Sequence, residues 1–153
     1  MAPKNKDLMI ANQAGLLKAT YPGSKVVTSH DQILCWRFQI TPSPLSNTYE
    51  VRLDYIRGKS PQACVLTPLA LANGKTKLPH VYNTEKQQLC LYYPDGQEWN
   101  PSMPLAKTVV PWIYEWLYHY EFWLSSGDWY GGGVHPPTNK MKIEKSVQTK
   151  KQD

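Results

Sequence analysis

Apolar positions along the chain change period several times, and each change marks an element. Between Lys6 and Ala19, Ile10, Ala14 and Leu17 recur at threes and fours. That spacing places them on one helix face, and Tyr21-Pro22-Gly23 stops the helix. The period then falls to two. A short strand, KVVTS at 25–29, leads through the polar HDQ into ILCWRFQIT, where Leu34, Trp36, Phe38 and Ile40 share a face opposite Arg37 and Gln39. After PSPLSN, Tyr49, Val51, Leu53 and Tyr55 alternate with Glu50, Arg52 and Asp54. RGKSP separates this strand from a fourth, ACVLT at 63–67. Strict alternation over seven or more residues predicts a half-solvated antiparallel meander with one buried face.

Regular strands are expected to stop after Pro68. Residues 69–103 contain Pro79, Pro94, Pro101 and Asp95-Gly96, which predicts an irregular but ordered excursion. Leu105, Val109, Trp112, Ile113, Trp116, Leu117, Tyr120, Trp123 and Leu124 then return to threes and fours. Because Pro111 would break an established helix, the second helix is expected to start near it and to end at Ser125-Ser126-Gly127. Asp128 to Pro137 reads as a loop. The whole is an α+β domain whose helices cover the sheet's apolar face.

Composition narrows the classes. A chain of 153 residues, 41% hydrophobic and 19% charged, suits one domain with one sizeable core. Residues 1–138 are read as that domain and 139–153 as a basic, disordered tail. The tail has five lysines against two acids, so it holds +3 of the formal +5. The rest is nearly balanced and carries no basic stripe, which argues against nucleic acid as a partner. No apolar run approaches the ~20 residues that span a bilayer, and the N-terminus lacks a signal-peptide core. No membrane partner is therefore expected, and the cytoplasm is the simplest location. Cys35, Cys64 and Cys90 are far apart, with no Cys-x-x-Cys or His-x-x-x-His pair. They form neither a disulfide framework nor a set of about four zinc ligands, so no metal or cofactor is expected.

Cys90, in Leu89-Cys90-Leu91, has two readings. Free cysteine is among the most buried residue types, which favours a strand thiol. A thiol next to a turn-rich, non-repetitive segment can equally be held and exposed, as a nucleophile requires. Cys35 and Cys64, on short strands, read as structural. His30 reads as a turn residue, His119 as a helix-surface residue, and Trp129 and Tyr130 as anchors of the glycine loop.

The order of elements and motifs resembles the ubiquitin-conjugating (E2) fold. His80 precedes Cys90 by ten positions, leucines flank the cysteine, and Trp99-Asn100-Pro101 follows. KSPQACVLTP also looks like the family's proline-rich exit from its fourth strand. The likeness covers roughly residues 5 to 124. The segment YEFWLSSGDWYGGGVHP is similar to bacterial E2-like proteins of anti-phage operons, closest to those of cyclic-oligonucleotide (CBASS) defence systems. This resemblance implies a UBC fold: N-terminal helix, four-stranded meander, active-site segment and long C-terminal helix.

It also implies an E2-like thioester transferase with Cys90 as the acyl carrier. The donor would be a cGAS-like nucleotidyltransferase or a ubiquitin-like protein, and the acceptor a protein lysine. No stretch of the sequence looks suited to adenylating a carboxylate, so a separate E1-like activator is expected. His80 would brace the segment before the cysteine. Where the family has His-Pro-Asn, this chain reads His80-Val81-Tyr82-Asn83, so Asn83, Tyr82 or a backbone N–H would stabilise the oxyanion. Asp128 would lower the pKa of the incoming lysine, and His135 would fold over Cys90. Alternatives are an E2 of another bacterial ubiquitin-like conjugation operon, a cysteine hydrolase pairing Cys90 with His135 or His119, and a non-catalytic partner-binding variant.

Overall fold

The computed structural model describes residues 6–93 and 98–131 of the protein. Helix α1, Ile10–Thr20, begins four residues later than the pattern suggests. Its first N–H donates to Asp31 Oδ1 at 2.9 Å, so the cap comes from a distant turn rather than from the preceding residues. Ile10, Gln13, Ala14 and Leu17 form its buried face.

Strands β1 (Lys25–Ser29), β2 (Ile33–Ile40), β3 (Tyr49–Ile56) and β4 (Gln62–Val65) form the expected antiparallel meander. In β3 the alternation is obeyed: Tyr49, Val51, Leu53 and Tyr55 are buried and Glu50, Arg52 and Ile56 exposed. Cys35 and Cys64 lie half-buried on the opposite face, paired across β3 with Asp54 and Arg52 respectively. His30 sits in the β1–β2 turn with φ +52°.

Regular strands do not stop at Pro68. Two more, β5 (Val81–Asn83) and β6 (Gln88–Leu89), extend the sheet to six in the order β1-β2-β3-β4-β6-β5. At three and two residues they are too short to show a period of two. The Gln87 side chain ties them to the sheet. Its Nε2 donates to the Val65 and Thr67 carbonyls, each at 2.8 Å, and its Oε1 accepts the Leu69 N–H.

After a 3₁₀ turn, Leu105–Lys107, helix α2 runs from Val109 to Ser126. It starts two residues before Pro111, not at it. In a first turn the backbone N–H has no intrahelical acceptor, so proline there removes no hydrogen bond. Gly127, at φ +79°, ends the helix with its N–H on the Trp123 carbonyl at 2.7 Å. Val109, Val110, Ile113, Trp116, Leu117, Tyr120 and Trp123 are buried.

The core joins these faces to Trp36, Leu53 and Tyr55 of the sheet. One buried polar side chain locks the approach to α2. Gln13 donates through Nε2 to the Met103 carbonyl at 3.0 Å and accepts the Leu105 N–H at 2.9 Å. The α+β architecture is that of the ubiquitin-conjugating fold. Among the described residues no helix is long and apolar enough to cross a membrane.

Candidate functional site at Cys90

The segment before Cys90 is held by one backbone carbonyl. The His80 oxygen accepts the Cys90 N–H at 2.9 Å and the Trp116 Nε1–H at 3.1 Å. His80 itself is in the left-handed region at φ +47°, an arrangement that costs a non-glycine residue about 1 kcal/mol or more. Its buried ring stacks on Trp129, with centroids 4.8 Å apart. The histidine therefore links the segment bearing the cysteine, helix α2 and Trp129 beyond it.

Cys90 is buried, at 7% exposure, yet it lines a half-open cleft of about 450 Å³. One wall of that cleft is α2, where Trp112, Glu115, Trp116 and His119 fall at the 3–4 spacing of one face. The rest comes from His80, Leu91, Tyr92, Glu98 and Trp129. The thiol donates weakly to the Tyr92 carbonyl at 3.8 Å. It also receives a hydrogen bond from the Tyr82 hydroxyl.

Burial pushes the Cys90 thiol above the ordinary cysteine value, and the nearby Glu98 carboxylate adds to the rise, while the Tyr82 hydroxyl and the Tyr92 backbone oppose it. The resting sulfur is therefore a neutral thiol. Desolvation, then the bond to Cys90, likewise raises Tyr82, so the phenol stays protonated as a donor.

The sequence-predicted residues divide. Cys90, His80 and Tyr82 are brought together. Asn83 lies on β5, exposed, where its Oδ1 accepts the Lys86 N–H at 2.9 Å and shapes the β5–β6 turn. Asp128 is exposed beyond α2, its N–H bonded to Ser126 Oγ at 3.1 Å, and is not among the residues lining the cleft. His135 and the 139–153 tail lie outside the described residues.

His119 is not a plain surface residue. It is half-buried, and its ring lies 5.8 Å from that of Trp129. Gly131 packs on it so closely that a Cβ there would stand 2.8 Å from His119 Cγ and Cδ2 and 2.9 Å from Trp129 Nε1. Trp129 packs against the core, whereas Tyr130 is 69% exposed; the rest of the glycine loop lies outside the described residues. The indole Nε1–H of Trp129 is buried with no hydrogen-bond partner among the described residues.

Sequence reasoning missed Glu98 and Glu115 as neighbours of the thiol, and placed His119 beside it only in the hydrolase alternative. The available signal was the 112-115-116-119 helical stripe, which carries two polar groups beside two tryptophans. Among the described residues no group of three or more His, Cys, Asp and Glu side chains is placed to hold a metal ion.

No curated protein matches the sequence. A family model for the type II CBASS E2 protein matches residues 13–136, which span the fold and the cleft. The chain therefore belongs to the type II CBASS E2 family, the E2-like proteins of that anti-phage defence system.

Proposed function

We propose that this protein carries the C-terminal carboxyl of another protein as a thioester on Cys90 and transfers it to an amine. One observation carries the reading: the Cys90 thiol lines a half-open cleft walled by α2 and Trp129. Sulfur suits the task because a thiol takes an acyl group from a donor thioester by exchange, releasing the donor thiol, and the new thioester keeps most of the transfer potential for reaction with nitrogen. The thiol must first lose its proton, since the thiolate is the nucleophile. Tyr82 favours that state by hydrogen-bonding to the charged sulfur.

Within the CBASS setting the donor is a cGAS-like nucleotidyltransferase, loaded by a separate E1-like activator, and the acceptor a protein lysine. A ubiquitin-like protein is the other donor class. The oxyanion that forms on attack needs a positioned donor, and removing one costs about 2.7–4 kcal/mol in enzymes that rely on it. The Tyr82 hydroxyl, beside the sulfur, is the first candidate and the exposed Asn83 amide the second. His80 acts through its carbonyl and its stacking on Trp129, as a positioning residue. Asp128 and His135 are assigned to the approaching lysine.

The test is co-expression of the Cys90→Ala and Cys90→Ser forms with the neighbouring genes, followed by intact-protein mass spectrometry. Wild type should give a DTT-sensitive adduct, Cys90→Ala none, and Cys90→Ser a DTT-resistant ester whose mass identifies the donor. Adducts that survive in Cys90→Ala refute the reading. Full defence with Cys90→Ala supports a partner-binding protein instead.

A further inference from the structure

The cleft beside Cys90 combines an unusual set of walls. Glu98 and Glu115 bring two carboxylates, His119 an imidazole, and Trp112, Trp116 and Trp129 present aromatic surface. Among the described residues no lysine or arginine lines it. An acid-rimmed aromatic slot repels carboxylates and phosphates. It attracts a slender cation, through the carboxylates and through the negative faces of the rings. We propose that this slot is the acceptor port, selective for a primary alkylammonium, with Glu115 and Glu98 holding the cation and His119 taking its proton.

The inference rests on the thioester reading, and it adds Glu98 and, from α2, Glu115 and His119 to the groups that handle the acceptor. Trp112 and Trp129 cover the acceptor's methylenes as the nitrogen advances toward the sulfur. The ammonium gives one proton to His119. Its lone pair then attacks the thioester carbonyl carbon, a C–N bond forms, and the C–S bond breaks with its electron pair leaving on the Cys90 sulfur. A second nitrogen proton passes to that thiolate, so the products are an amide, the free thiol and a protonated His119. Glu115 and Glu98 stabilise the cationic form, so they act on acceptor affinity. His119 acts on the turnover of the bound amine.

Two measurements test this on the full chain. The first needs no thioester. In a Cys35→Ala/Cys64→Ala background, the rate of Cys90 modification is compared for 2-aminoethyl methanethiosulfonate and the sulfonatoethyl analogue, each normalised to its rate with 2-mercaptoethanol. The cationic reagent should be favoured by about tenfold or more, and Glu98→Gln/Glu115→Gln should remove most of that preference. Both variants replace exposed side chains and should fold as wild type.

The second loads Cys90 by exchange with a synthetic glycyl-peptide thioester and follows discharge to Nα-acetyl-lysine and to hydroxylamine. Glu115→Gln should raise the KM for the lysine analogue about tenfold at unchanged kcat. His119→Asn should lower kcat instead, and hydroxylamine discharge should be unchanged in both. No charge preference in the first measurement, or equal lysine discharge by all variants in the second, overturns the port. Failure of Cys90 to accept any thioester overturns the transfer reading, whereas the charge preference is settled independently by the first measurement.

Discussion

Replacing Tyr82 by Phe removes a side-chain contact that favours the reactive form of Cys90. The tyrosine hydroxyl donates to the sulfur, and hydrogen bonds to charged groups contribute about 1.5–3 kcal/mol. Tyr82 is 44% exposed, so water competes for the same positions and the lower end, discounted to about 1 kcal/mol, is the appropriate figure. Losing about 1 kcal/mol from the charged form should move the Cys90 pKa further up. At a pH below that pKa the thiolate fraction then falls about fivefold. The remaining thiolate is more nucleophilic, with a Brønsted slope of about 0.4–0.5, which returns part of the loss. The net expectation is a two- to threefold slower alkylation at pH 7.5, together with an upward shift in the pH–rate inflection. The assay is iodoacetamide modification from pH 6 to about 10, in the Cys35→Ala/Cys64→Ala background, read by intact mass. Glu98→Gln provides the opposite sign, because removing that carboxylate removes a cause that raises the thiol. Its inflection should move down. An unmoved or lowered inflection in Tyr82→Phe would refute the role given to the hydroxyl.

The other predictions concern the frame. Gln13→Leu leaves the Met103 carbonyl and the Leu105 N–H without their partner in the buried interior, at a cost of about 3 kcal/mol. At 2–4 °C per kcal/mol for a chain of this size, thermal unfolding should show Tm lower by roughly 9 °C, and an unchanged Tm would discount the clamp. Gly131→Ala forces a methyl group into His119 and Trp129, an overpacking worth about 1–3 kcal/mol that is relieved most easily by lifting the loop. Cys90 should then be alkylated several-fold faster, and an unchanged rate would show that the loop does not cover the thiol. Trp116→Phe keeps a ring but removes the Nε1–H bond to the His80 carbonyl, and should destabilise by about 1 kcal/mol in urea unfolding. A denaturation midpoint equal to that of wild type would mean that the Cys90 N–H alone holds that carbonyl.

How much of this was legible in the sequence depends on how local each signal is. The alternation in β2 and β3 and the 3–4 spacing of α1 and α2 report one-sided burial, which acts on every second or every third to fourth residue. Those elements could be read directly. The β5–β6 hairpin could not, since strands of three and two residues complete no period; what fixes them is the Gln87 side chain reaching Val65, Thr67 and Leu69. The start of α2 at Val109 was obscured by Pro111, which reads as a breaker until its place in the first turn is known.

The same division holds at the site. The sequence by itself determined the one-sided sheet, the two helices and the His80–Cys90–Trp99 spacing, because residue type and separation along the chain suffice for these. Tertiary structure alone decided what surrounds the sulfur. Glu98, Glu115 and His119 reach one cleft from distant positions, Asp128 falls outside it, and the Tyr82 hydroxyl reaches the thiol because β5 and β6 are neighbouring strands. The reason is geometric: a thiol's pKa and access depend on dielectric and charge within a few ångströms, and separation along the chain does not specify distance in space.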